Sequence, residues 1–130
     1  MSIDYINKPP HYQAFGFESI KMVNIIVKEI TWNGCVAAYV FNAIKYCIRS
    51  KYKNNFNQDK EKALFYIKAI IKEYEKNKNK SIKNTYKLED IAKIENYLQR
   101  IAEKDKKLSK ILKEIINENF LLAQQLIKKY

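Results

Sequence analysis

CVAAYVFNAIKYCIRS, residues 35–50, is apolar nearly all the way round a helical wheel. A helix with that pattern is buried on most sides, so it reads as the central element of a helical domain. Asn33-Gly34 punctuates the chain just before it. Upstream, Ile20, Val23, Ile26, Val27 and Ile30 recur at three-and-four spacing and predict a helix over residues 17–31. Downstream, a helix is expected over residues 57–77, with Asn57 as N-cap and Asp59 and Glu61 in the first turn. The whole chain holds 2 Gly and 2 Pro. A multi-stranded β-fold needs many turns and turns need those residues, so their scarcity points to long helices. The expectation is an all-α fold: a compact helical domain with an extended N-terminal arm and a long C-terminal helix or helical hairpin.

The arm is residues 1–16, where Pro9-Pro10 forbids helix and Gly16 closes the segment. Residues 76–87, KNKNKSIKNTYK, are polar, lysine-rich and aperiodic, and read as a basic linker. The organisation is then an arm and helical core over 1–75, the linker over 76–87, and a helical C-terminal region over 88–130. In that last region Ile91, Ile94, Leu98, Ile101, Leu108, Leu112, Ile115, Leu122 and Leu126 follow a three-four repeat. Two readings are open. One is a continuous helix whose seam dimerises, with Asn119 at a core position setting register. The other is a break over 103–106 with Asp105 as N-cap, giving an antiparallel pair. The continuous helix, and with it a homo-oligomer, is the preferred expectation.

Composition excludes several classes. A chain of 130 residues can bury roughly two-thirds of its unfolded surface and needs no disulfide. Cys35 and Cys47 on one helix would stand about 18 Å apart, too far to bridge. Two free thiols suit a reducing cytoplasm. Gly16 and Gly34 cannot build a Walker loop or a dinucleotide fingerprint. The single histidine, His11, excludes sites that need two. No run of 18 apolar residues suggests a membrane span.

Lys and Arg number 25 against 14 Asp and Glu, a net charge of +11. Such a surface attracts polyanions, although AT-rich codons alone favour Lys. Arg49 and Arg100 run against that bias. Asn42, Lys45, Tyr46 and Arg49 share one helical face. Taken alone, this stripe reads as a solvent face; the functional reading is a phosphate clamp, with Arg as a planar fork, Lys as a point charge and Asn as an orienter. Asp59, Lys62 and Tyr66 share a face of the next helix, a pattern common on solvated helices. Ten Tyr and six Phe among many Lys leave single-stranded nucleic acid as a weaker alternative.

NKPPHY at 7–12, GFESI at 16–20, FNAIKYCIRSKYK at 41–53 and QDKEKALFYIKAII at 58–71 occur in a set order. Together they resemble a family of small phage proteins, mostly of unknown function, that includes the P-loop-less nucleotide kinase of T7-like phages. The resemblance covers about residues 7–71. It implies nucleotide binding through His11, Tyr12, Asn42, Lys45, Tyr46, Arg49, Lys53 and Lys62, with Glu18 and Asp59 as catalytic candidates and magnesium as cofactor if the chain is a kinase. Lys21 stands where an acidic residue is usual and Phe41 where glycine is usual. Loss of that carboxylate favours binding over catalysis. Three functions compete: phosphoryl transfer to a nucleoside monophosphate, non-catalytic sequestration of host immune-signalling nucleotides, or a single-stranded nucleic-acid or protein-interaction module using the basic linker and the C-terminal helix.

Overall fold

The computed structural model describes residues 19–31, 33–50, 56–81 and 83–130. All regular structure among them is helical: α1 (Ser19–Val27), α2 (Gly34–Arg49), α3 (Phe56–Lys76), α4 (Leu88–Lys104), α5 (Lys106–Ile116) and α6 (Phe120–Lys129). The expected arm lies outside the described residues. No helix among them is long and apolar enough to cross a membrane.

The central role expected of residues 35–50 is realised by α2, which packs along α3 and also meets α1 and α5. Its Val36, Val40, Ala43, Ile44, Cys47 and Ile48 are buried. Asn33 is its N-cap, with Oδ1 accepting from the Val36 N–H at 3.1 Å. That cap satisfies one of the donors a helix start leaves unpaired. The first helix ends at Val27, short of the expected residue 31, because the chain tightens into a turn closed by Ile30 N–H to Val27 O. The third begins at Phe56, so Asn57 lies inside its first turn rather than capping it.

The C-terminal region corrects the preferred continuous helix. Asp105 breaks it, taking extended backbone, and its Oδ1 accepts from the Leu108 N–H at 3.0 Å. Tyr130 holds the other carboxylate oxygen through its hydroxyl at 2.6 Å. A second break follows Ile116. There Glu118 adopts a φ of 64°, a region costly for side chains other than Gly and Asn. Asn119, expected in a coiled-coil core, is exposed, and its Nδ2 donates to Glu114 Oε2 at 2.8 Å. The seam folds inward: Ile94, Ile101, Leu108, Leu112 and Ile115 are buried within one chain. A projecting apolar helix therefore no longer argues for self-association.

Residues 83–87 run beside the C-terminal end of α1. The Asn84 N–H donates to Glu29 O at 2.8 Å and the Tyr86 hydroxyl to Ile26 O at 3.0 Å. Burial, with the charges of Glu118 and Glu29, raises the Tyr86 pKa above that of an ordinary phenol. Beside this segment Lys28 Nζ meets Asp90 Oδ2 at 2.8 Å, joining the turn after α1 to α4.

Candidate functional site

The last turn of α2 stands beside the first turn of α3. A cation is favoured at a helix C-terminus and an anion at an N-terminus, and Arg49 and Asp59 occupy those places. Arg49 Nε lies 3.4 Å from Asp59 Oδ2. Asp59 is 1% exposed, so the acidic position expected on a solvated surface is in the interior. Neither Asp59 oxygen nor Arg49 Nε makes a hydrogen bond. Charge proximity alone joins them, and burying a carboxylate on such terms is expensive.

One turn back on α2, Tyr46 gathers three cations. Lys45 Nζ is 4.9 Å from its ring centroid, Lys62 Nζ 5.3 Å and the Arg49 guanidinium carbon 5.7 Å. Each lies within cation–π range. The ring also stacks on Tyr66 of α3, with centroids 6.0 Å apart and planes 6° from parallel. Tyr66 in turn meets Tyr39 at 6.1 Å and the edge of Phe65 at 5.2 Å. The result is a row of aromatic rings across two helices, with three positive charges at one end. Like charges repel, so a set this close is held by the ring, by Asp59 and by helix packing, and an arriving anion relieves it.

The structure thus brings together Lys45, Tyr46, Arg49, Asp59 and Lys62. Asn42 shares the α2 face, but its Nδ2 donates to Ala38 O at 3.0 Å, within its own helix. His11, Tyr12, Glu18 and Lys53 lie outside the described residues. The sequence reading missed Phe65, which is 66% exposed, and the contribution of Tyr39 and Tyr66 to the row. An exposed Phe directly before a face-sharing Tyr was the available signal. Cys35 is exposed on α2, while burial pushes the Cys47 thiol up to about 12.

Among the described residues no three His, Cys, Asp or Glu side chains stand together to hold a metal ion. Magnesium carried on nucleotide phosphates needs only one or two carboxylates. Of the two catalytic candidates, Asp59 is the one among the described residues, but it is buried against Arg49, so it fits a metal poorly without leaving that pair.

A family model described as a protein of unknown function (DUF3310) matches residues 6–68. The match spans α1, α2 and most of α3, and so includes the whole cationic aromatic face. The chain is similar to that family over this stretch. No curated protein and no solved structure matches the chain.

Proposed function

We propose that the α2–α3 face binds the phosphate groups of a nucleotide, with the base laid along the aromatic row. The observation that carries this reading is the convergence of Lys45, Lys62 and Arg49 on the Tyr46 ring. Arg49 supplies a planar donor fork held in place by Asp59, and the two lysines supply point charges. Phe65, exposed beside Tyr66, offers a plane on which a base can stack. The resemblance to the nucleotide kinase of T7-like phages points to the same ligand class.

Sequestration is the reading favoured over transfer, and one observation favours it. Asp59, the carboxylate a magnesium-dependent transfer would call on, is buried and committed to Arg49. Binding and charge neutralisation need only the cations. The test is to incubate the protein with a nucleotide panel and chromatograph before and after denaturation. Depletion of one free nucleotide, recovered intact on denaturation, is expected. A new phosphorylated species would establish transfer instead. Lys62→Ala should weaken binding about tenfold, the worth of one charge-assisted contact. Unchanged affinity in a folded Lys62→Ala protein would remove the clamp, and tighter binding of single-stranded DNA than of any mononucleotide would replace it with a nucleic-acid interface.

A further inference from the structure

A cavity of about 740 Å³ lies between the C-terminal end of α3, the turn after it and the start of α6. Glu75 and Glu118 line it, and among the described residues no Lys or Arg does. In a chain with 25 basic residues this is an acid-lined hollow on a cationic molecule. Lys78 and Lys80 in the adjoining turn are exposed and stand outside the lining.

Glu118 is half-buried and held tightly. Its Oε1 accepts from the Tyr74 hydroxyl at 2.5 Å, and the Ser81 hydroxyl lies 2.8 Å from Oε1 and 2.9 Å from Oε2. All these donors are neutral, and among the described residues no cation pairs with it. Its field reaches Tyr86, where it helps hold the phenol proton on. The chain also accepts a left-handed backbone at this position, flanked by Asn117 and Asn119, to place a carboxylate where Gly or Asn would be less strained. Asn79, Ser81 and Asn119 add neutral polar groups to the lining, and the other walls are apolar. Ile71, Leu121 and Leu122 line the cavity, the last two 67% and 40% exposed. Tyr74 and Phe120 meet edge-on at 5.0 Å and present ring surface to it.

We propose that this cavity binds a small organic cation, an ammonium group on an aryl or alkyl body. The ammonium lies at Glu118 and Glu75, where it supplies the missing counter-charge, and can also meet the Tyr74 and Phe120 rings. The body covers Ile71, Leu121 and Leu122. The volume falls within the range of small-molecule sites, about 300–1,000 Å³. This site is separate from the cationic face and takes ligands of the opposite sign.

The test uses the full chain and phenethylammonium as probe, with phenethyl alcohol and phenylacetate as neutral and anionic counterparts. Calorimetry and the methyl resonances of Leu121 and Leu122 report binding and its place. One saturable site per chain is expected, with shifts at both leucines and at least tenfold weaker binding of the alcohol and the carboxylate. Glu75→Gln, at an exposed position, should weaken phenethylammonium binding several-fold, and Glu118→Gln about tenfold or more. Absence of saturation, equal affinity for the alcohol, or shifts confined to other residues would overturn the proposal. So would full affinity in folded Glu75→Gln and Glu118→Gln proteins. If Glu118→Gln does not fold, the three probes on the unaltered chain decide the matter.

Discussion

Among the described residues, Asp59 and Asp90 are each buried beside a partly exposed cation, and they differ in how closely the pair approaches. Asp90 Oδ2 lies 2.8 Å from Lys28 Nζ, and this close charge contact lowers the Asp90 pKa and raises that of Lys28. Asp59 meets Arg49 at 3.4 Å with no hydrogen bond to either oxygen. The first pair joins the turn after α1 to α4 and, among the described residues, has no aromatic row beside it. The second borders three cations and four aromatic rings. The same chemistry therefore serves as a fastener at one place and borders a cationic aromatic face at the other. What separates them is the company of the cation: Lys28 is spent on its partner, whereas Arg49 also faces Tyr46 with Lys45 and Lys62.

The largest effect is expected at Arg49. Arg49→Ala leaves Asp59 buried without a counter-charge and should cost about 3 kcal/mol of stability, the low end for a broken buried pair because Arg49 keeps some contact with water. Urea denaturation measures it. A loss under about 1 kcal/mol, the range of surface pairs, would make Arg49–Asp59 an ordinary surface contact and end the contrast. Arg49→Lys keeps the charge but not the fork, so it should recover stability more than nucleotide affinity.

Phe65→Ala comes next. It should weaken nucleotide binding by about 1 kcal/mol, the lower range for base stacking, and leave pyrophosphate binding unchanged. An equal loss for both ligands would mean that Phe65 shapes the clamp rather than meeting a base.

The Lys28–Asp90 pair predicts a pH signature. Asp90 is lowered from 3.8, so its contribution is present above that value and fades as pH falls through its folded value. Lys28 is raised from 10.5, so its contribution is complete below that value and fades as pH rises through its folded value. Lys28→Met should flatten both edges of the stability profile. Added salt should weaken the pair in the native chain, because Lys28 is half in water. Unaltered edges in Lys28→Met would remove the fastener reading.

The smallest effect is a difference in thiol reactivity on α2. A disulfide-exchange reagent near pH 8 should modify Cys35 and spare Cys47, whose thiol stays protonated because it is buried. In Arg49→Ala, two residues away on the same helix, Cys47 should become modifiable at a measurable rate, while in Lys28→Met it stays protected. Equal protection in both would show that the two pairs support α2 to the same degree.

The helical class, the place of α2 and the apolar positions of the core were legible from residue order, because periodicity and the scarcity of Gly and Pro act locally. Val23, Ile26, Ile30, Ile94, Ile101 and Leu108 are buried, as their three-and-four spacing predicts. So was the shared face of Lys45, Tyr46 and Arg49, which follows from 3.6 residues per turn. Asp105 was legible only as one of two options. Its capping bond is local, but choosing the break over a continuous helix required the burial of Ile101 and Leu108 against the rest of the chain. Tertiary structure alone decided the remainder. Which side chain of α3 meets which of α2 depends on how the two helices are rotated and offset, and no spacing within either one carries that information. Packing turned a first-turn Asp59 inward to Arg49, brought Lys62 to Tyr46, and set Glu118 opposite Tyr74 and Ser81 across 44 and 37 residues of chain.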